Sequence, residues 1–370
     1  MTFSSQDHQF MHRALALAQE ALYITSPNPR VGCVLINSAG VVIGEGHTQR
    51  VGEAHAEIVA LAQAKLRGMP TNGGTGFVTL EPCSHTGRTP PCTDALINAG
   101  IKRLVVSLMD PNPLVSGNGF ERLRASGIQV DVGLGEETSR LLNAGFIKRM
   151  TKGLPFVRLK IASSLDGGTA LHNGKSQWIT GPKAREHAHT WRARSCAILS
   201  GIGTVLSDDP SLNVRLIPTS RQPKLVLVDT NLDTPPNAAL FKEKREVIIY
   251  CAHQNPDKVK ILNQLGATVV QMPKTSDPNH VDLKNMLRDL GKREINELHV
   301  EAGAGLNSSF IQANLVDEFL IYLAPLILGD AKGWTNLAAL QDLSAGSRLA
   351  FLEFHPVGED LFVRARPLDD

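Results

Sequence analysis

The sequence predicts an α/β protein of two domains, and three observations carry that expectation. Short apolar runs alternate with amphipathic stretches from end to end, the pattern of strands interleaved with helices. At 370 residues the chain is longer than one hydrophobic core usually supports. A Gly/Pro-containing stretch, Thr151 to Phe156 (TKGLPF), separates two such alternating blocks, so the domains are expected at 1–150 and 151–370.

The first block opens with an amphipathic helix, whose apolar residues Phe10, Met11, Ala14, Leu15, Ala18 and Leu22 recur at helical spacing. After SPNPR (Ser26 to Arg30), the runs VGCVLI and VVIGEG are joined by Asn37-Ser38-Ala39-Gly40 and read as a β-hairpin. HAEIVALAQAKLRG is a helix ending at Gly68, and GFVTLE, Gly76 to Glu81, is a buried strand. TDALINAG follows as a short helix, with Thr93 or Asp94 near its start and Gly100 after its end. KRLVVSL, ERLRASG and IQVDVGL then read as strand, helix and strand.

The second block has its own strands at FVRLKIA, CAILSGI, KLVLVDT, EVIIYCA, ATVVQM, ELHVEAG and EFLIYLAP. Helices such as GPKAREHAHTWRAR and VDLKNMLRDLGK lie between them, which implies a second, independent sheet. There is no internal repeat or low-complexity tract.

Composition narrows the function class. Apolar residues make up 42% and charged residues 20%, with 38 Lys+Arg against 36 Asp+Glu. A net charge of +2 argues against an extended nucleic-acid face, which needs a clustered basic surface. No segment approaches about 20 uninterrupted apolar residues, so no membrane span is expected. The N-terminus lacks the basic start and apolar core of a signal peptide, and a cytoplasmic location is expected. Five cysteines in such a chain point to reduced thiols, so paired use of cysteine means metal or catalysis ahead of a disulfide.

Two of the five, Cys83 and Cys92, bracket the stretch EPCSHTGRTPPC. Upstream, His55-Ala56-Glu57 stands at the start of a predicted helix, while Pro82-Cys83 ends a predicted strand. Hydrolytic removal of an amino group from a nucleobase ring needs a nucleophile that exists at neutral pH. Zinc provides it by lowering the pKa of water to about 7. The ligand set for that chemistry is one histidine and two cysteines, with a non-ligand glutamate two residues after the histidine shuttling protons. His55, Cys83 and Cys92 fit the ligand positions and Glu57 the shuttle. A closed structural site using His85 as a fourth ligand is the competing reading. Cys33, Cys196 and Cys251 lie in apolar strand contexts and read as packing residues.

The spacing departs from the common Pro-Cys-x-x-Cys: eight residues separate the cysteines. His85, Thr86 and Arg88 in that insertion suit a phosphate or polar substituent, and Pro90-Pro91 stiffens the approach to Cys92. In the second block no Gly-x-Gly-x-x-Gly follows a strand, so a Rossmann domain is not expected. Gly303-Ala304-Gly305 does follow a strand and precede a helical stretch. Backbone N–H groups in such a place can hold phosphate, or they can simply make a turn.

These motifs together resemble the bifunctional riboflavin-biosynthesis deaminase/reductase family of bacteria. The resemblance runs through SPNPRVG, HAE, TLEPCSHTGRTPPC, DPNPLVSGNG, LKIASSLDG, SQWITG, GIGTVLSDDPSLNVR, VEAGAGLNSSF and DEFLIYLAPLILG, nearly the whole chain. It implies a cytidine-deaminase-like three-layer α/β/α domain followed by a dihydrofolate-reductase-like α/β domain. The implied reactions are hydrolytic deamination of 2,5-diamino-6-(5-phosphoribosylamino)pyrimidin-4(3H)-one, then NADPH-dependent reduction of the ribosyl to the ribityl side chain. Zinc on His55, Cys83 and Cys92, with Glu57 as proton donor, belongs to the first. For the second, the resemblance implies catalytic roles for Lys160 and Asp208, Lys160 meeting the substrate's carbonyl or ribose oxygens. Ala162, Trp178, Thr204, Asp208 and the run Gly303, Ala304, Gly305, Leu306, Asn307, Ser308 and Ser309 match cofactor positions. Ser176, Arg192, Leu212, Arg215 and Glu301 match substrate positions. Arg192 and Arg215 suit a phosphate, and Asp208 and Glu301 suit sugar hydroxyls. One departure is Val59, where many relatives have histidine; zinc binding should survive it.

Two other function classes compete. An RNA-editing or nucleoside deaminase with an appended nucleotide-binding domain would show a basic surface and short cysteine spacing. A non-catalytic sensor would make the zinc structural. The expected partners are the phosphorylated substrate and further copies of the chain, as a dimer or tetramer, with no nucleic acid and no membrane.

Overall fold

The computed structural model describes residues 2–84, 90–112 and 116–368. The chain divides into two compact units, Met1–Gly153 and Leu154–Asp370.

The N-terminal unit runs α1 (Ser5–Glu20), β1 (Gly32–Ile36), β2 (Val42–His47), α2 (Ala56–Leu66), β3 (Thr75–Val78), α3 (Cys92–Asn98), β4 (Arg103–Val106), α4 (Asn118–Ala125), β5 (Gln129–Val132), α5 (Glu136–Leu142) and α6 (Ala144–Lys152). Its sheet has the order β2-β1-β3-β4-β5. β1 is antiparallel to both neighbours, whereas β3, β4 and β5 are parallel.

Strand alternation sends side chains to two cores. Cys33, Leu35, Val78, Leu104 and Val106 pack with Ala56, Ala60 and Ala64 of α2, Leu96 of α3 and Phe120 and Leu123 of α4. Val34, Ile36, Phe77 and Val105 pack on the other face against Phe10, Met11, Ala14 and Leu15 of α1. The unit is therefore three-layered. A capping box between Ser4 and Asp7 starts α1. The layers meet backbone to backbone at two glycines. A Cβ on Gly32 would lie 1.9 Å from the Ala14 carbonyl, and one on Gly44 2.0 Å from that of Ala60.

The structure departs from the sequence expectation in detail. β3 ends at Val78, although the backbone stays bonded through Thr79 N–H to Gly32 O and Glu81 N–H to Leu108 O. α3 begins at Cys92 with Pro91 as its N-cap, one residue before the expected Thr93 or Asp94. Helices α5 and α6 went unread; each has a single fully buried residue, Ser139 in α5 and Gly145 in α6, although Phe146 and Ile147 of α6 pack against the core.

The C-terminal unit runs β6 (Phe156–Ser164), β7 (Gly168–Ala170), α7 (Pro182–Arg194), β8 (Ala197–Gly201), α8 (Ile202–Asp208), β9 (Lys224–Val228), β10 (Val247–Cys251), α9 (Pro256–Gln264), β11 (Ala267–Gln271), β12 (Pro273–Lys274), β13 (Asp277–Val281), α10 (Leu283–Lys292), β14 (Glu297–Val300), α11 (Ala304–Gln312), β15 (Glu318–Ala324), β16 (Lys332–Gly333), β17 (Leu349–Val357) and β18 (Asp360–Pro367). The main sheet has the order β11-β10-β9-β8-β14-β6-β15-β18-β17. It is parallel from β11 through β15, and the last two strands are antiparallel. Val157, Leu159, Leu199, Val226 and Val300 face α10 and α11. Ile198, Leu225, Leu227 and Ile249 face α8 and α9, and Leu320 and Tyr322 face α7. The hairpin β17–β18 was not anticipated. β17 reads LAFLEFHPV and lies on the sheet edge with no fully buried residue.

Candidate functional site

The N-terminal unit brings the three expected metal ligands together. β2 leads into α2, whose N-cap is His55, and the chain after β3 delivers Cys83 beside Cys92, the first residue of α3. His55 Nδ1 lies 3.7 Å from Cys83 Sγ and 3.3 Å from Cys92 Sγ, and all three donor atoms fall within 4.8 Å of one another. Tetrahedral zinc with ordinary Zn–N and Zn–S bonds has ligand–ligand edges of about 3.5–3.8 Å, so the set fits that ion. The protonation chemistry agrees. The Cys83 thiol is drawn down to about 4, first by its hydrogen bond with Cys92, while that bond and burial push Cys92 up. Cys92 N–H also donates to Cys83 Sγ at 3.3 Å. Two sulfurs contending for one proton beside a histidine form a site that a cation satisfies.

Glu57, in the first turn of α2, is 4% exposed, and its carboxyl is raised to about 7 by burial and then by the charge of Cys83. The eight residues between the cysteines include His85, Thr86 and Arg88, which lie outside the described residues. Cys33, Cys196 and Cys251 are buried and unpaired with other cysteines, as packing residues should be.

A residue that sequence reasoning missed secures this corner. Glu81, 3% exposed, accepts backbone N–H bonds from Asp110 at 3.1 Å, Gly117 at 3.0 Å and Gly119 at 2.9 Å. It ties the chain entering Cys83 to the segment that follows β4. Its position before Pro82-Cys83 was visible, but its partners lie 29 to 38 residues away in sequence.

In the C-terminal unit, β8 leads through α8 to β9 on one side, and β14 leads through α11 towards β15 on the other. The strand order reverses between β8 and β14, so a crevice opens at their carboxyl ends, the usual ligand position in such sheets. α8 and α11 begin there. A Cβ on Gly303 would approach Thr204 Oγ1 at 4.0 Å, and Gly203 and Gly305 face open space.

The side chains of the expected cofactor run divide their tasks. Leu306 packs into the core; buried Asn307 donates to Trp334 O at 3.0 Å; buried Ser308 accepts from Asn336 N–H at 2.6 Å; and Ser309 donates to Gly305 O. Gly303 and Gly305 are exposed at the start of α11. Asp208 is exposed at the end of α8.

Beside the crevice, a cavity of about 590 Å³ is lined by Lys160, Trp178, Arg185, His189, Arg192, Arg215 and Tyr322, among others. Lys160 and Ala162 point to this face because Val157, Leu159 and Ile161 take the other. Trp178 is 63% exposed and stacks under Arg185 at 4.4 Å, so it is not core. Ser176 is half-buried nearby in sequence. Glu301 is held by Arg192 through two bonds of 2.5 and 2.8 Å, by His299 at 3.1 Å and by Lys160 at 3.7 Å. Burial pushes its carboxyl up, but Arg192 and Lys160 outweigh this and hold it well below the usual range. Arg192 also donates to Asn213 O at 2.8 Å. The Arg192–Glu301 pair is thus largely self-satisfied. Leu212 is buried in the core, its carbonyl taken by Arg245, whereas Arg215 is exposed at the cavity.

A histidine and a cysteine at two helix starts, with a second cysteine on the chain between them, over a mixed five-stranded sheet define the zinc-binding class of nucleobase deaminases, here joined to a second α/β domain. The family model described as cytidine and deoxycytidylate deaminase zinc-binding region matches residues 4–108, and that of the RibD C-terminal domain matches 155–363. The chain belongs to the RibD family of riboflavin biosynthesis proteins. It is 43% identical over 363 residues to riboflavin biosynthesis protein RibD of Escherichia coli (96% of this chain, 98% of that one). Against RibD of Haemophilus influenzae it is 43% identical over 380 residues, covering 99% of both. Acinetobacter baumannii RibD, form 1, superposes with a TM-score of 0.89 at 39% identity, covering 98% and 99%. A Thermotoga maritima structure, described as a diaminohydroxyphosphoribosylaminopyrimidine deaminase/5-amino-6-(5-phosphoribosylamino)uracil reductase, gives 0.87 at 35% identity with the same coverage. Among the described residues no helix is long and apolar enough to cross a membrane.

Replacing Glu81 with Gln should place an amide N–H among three backbone donors. The expected loss is about 1–3 kcal/mol in thermal unfolding of the N-terminal unit, with zinc affinity weakened about 10–100-fold in a chelator competition. Unchanged zinc affinity would reduce Glu81 to a bystander.

Proposed function

We propose that the chain carries out two consecutive reactions of riboflavin biosynthesis. The N-terminal domain removes the 2-amino group of 2,5-diamino-6-(5-phosphoribosylamino)pyrimidin-4(3H)-one as ammonia. The C-terminal domain then reduces the ribosyl group of the resulting aminouracil to ribityl with NADPH. The observation that carries this reading is the convergence of His55, Cys83 and Cys92 beside buried Glu57, in a chain whose second half matches the RibD C-terminal domain.

His55, Cys83 and Cys92 would hold zinc, which brings the pKa of water near neutrality when bound. Glu57 takes a proton from the attacking water and delivers it to the departing amine. Water adds to the ring carbon, the carbon–nitrogen bond breaks, and a carbonyl remains.

In the C-terminal domain, NADPH supplies the hydride. The open backbone of Gly303, Ala304 and Gly305, with Thr204, Asp208, Ala162 and Trp178, would hold it along the crevice between β8 and β14. Lys160 and Arg215 give the cavity its positive charge for a phosphorylated substrate, and Lys160 orients the carbonyl that receives hydride. Ser176, two residues before Trp178, and Leu212, three before Arg215, flank the lining in sequence and are not among the residues that line the cavity. Arg192 and Glu301 act chiefly by fixing Lys160 and the 213–216 segment. The chain is also assigned self-association through the edge strand β17, which exposes Phe351 and Phe354 side by side.

Glu57→Gln should lower ammonia release at least about 100-fold while zinc content stays stoichiometric and supplied aminouracil is still reduced; a retained deamination rate would exclude the proton shuttle. A Cβ added at Gly305 meets no atom within 4 Å, so the melting temperature of Gly305→Val should hold while KM for NADPH rises roughly tenfold or more. An unchanged KM would move the cofactor elsewhere. For association, sedimentation of Phe354→Glu should show a smaller species than the unsubstituted chain, and an unaltered species would exclude that edge.

A further inference from the structure

His189 lies on α7 one turn before Arg192 and is 4% exposed, yet it lines the cavity. Its Nδ1 accepts backbone N–H bonds from Arg215 at 3.1 Å and Leu216 at 3.4 Å. A backbone N–H can only donate, so Nδ1 carries no proton and the neutral ring carries its proton on Nε2. Nε2 lies 3.4 Å from Arg192 Nη1, which is also a donor. Two donors therefore face each other at this contact. Burial, Arg192 and Arg215 lower the ring to about 3, which keeps it neutral and keeps Nδ1 free to accept.

We propose that His189 is a further substrate-binding residue of the reductase domain, its Nε2–H donating to a phosphate oxygen that also accepts from Arg192 and Arg215. An anionic oxygen between these groups satisfies both opposed donors. Lys160 adds charge from β6, and Glu301 does not compete because Arg192 and His299 already hold it. The same ring positions the Arg215 loop through Nδ1, so anchor and donor are separate ends of one side chain. The inference rests on the reading of this domain as a reductase of a phosphorylated ribose.

The two ends can be separated by substitution. His189→Asn places an amide oxygen where Nδ1 stood and keeps the loop anchor but loses the donor; His189→Gln places an amide nitrogen near Nε2 and keeps the donor. With the phosphorylated aminouracil and saturating NADPH, His189→Asn should raise KM about tenfold, the loss expected of one hydrogen bond to a charged group. Its kcat should stay within about twofold, and His189→Gln, which keeps the donor and loses the loop anchor, should raise KM less than His189→Asn does. With the dephosphorylated compound the three proteins should behave alike. Calorimetric titration with ribose 5-phosphate, against ribose, should show the same ranking without turnover. Equal KM values with the phosphorylated compound, or an equal loss with both compounds, would overturn the assignment. If the unsubstituted protein reduces neither compound, the reductase reading falls; the ribose 5-phosphate titration then decides His189 alone, equal binding by all three proteins counting against it.

Discussion

Parallel strand pairing is the constraint on which both sites depend. A parallel strand must be reached by a crossover, and the crossovers here are helices that begin beyond the carboxyl end of the preceding strand. β2 to β3 through α2, and β3 to β4 through α3, therefore set two helix starts side by side, carrying His55 and Cys92. Cys83 arrives on the chain between them. In the second unit the same rule sets α8 and α11 at the ends of β8 and β14, and the reversal of strand order leaves a crevice instead of a packed seam.

Charge placement completes what topology begins. The cations of the second unit divide into those already satisfied and those available. Arg158 is fully buried between Glu297 and Glu318, and Arg194 also meets Glu297, an arrangement that belongs to the core. Arg192 gives two bonds to Glu301 and one to Asn213 O, which stiffens the cavity wall. Arg215 and Lys160 are left to face an anionic ligand. A buried pair of this kind loses much when one partner is removed, because the other charge is stranded. Arg192 and Glu301 are therefore positioning residues as much as binding ones.

Much of the N-terminal site was legible. A histidine, glutamate and two cysteines are rare enough in that order to imply zinc chemistry, and period-2 and period-3.6 patterns marked the elements that carry them. Glu81 was not legible, since nothing local distinguishes a carboxylate that will bind three remote backbone donors. His189 stayed hidden for a similar reason: its partners sit in the loop after α8. Helix α5 and strand β17 escaped because they bury almost nothing, Ser139 alone in α5 and no residue of β17.

The sequence by itself determined the two-domain α/β organisation and picked out the candidate zinc ligands and the glutamate beside them. These follow from residue type and spacing, which local chain geometry converts directly into position. Tertiary structure alone decided which of the matched residues in the second domain are free to act. Leu212 is core, Asn307 and Ser308 hold a neighbouring segment, and Arg192 and Glu301 hold each other, while His189, outside the matched set, accepts from the Arg215 loop. The physical reason is that a polar group's availability depends on every partner within about 3 Å, and most of those partners are brought there by strands and loops far away in the chain.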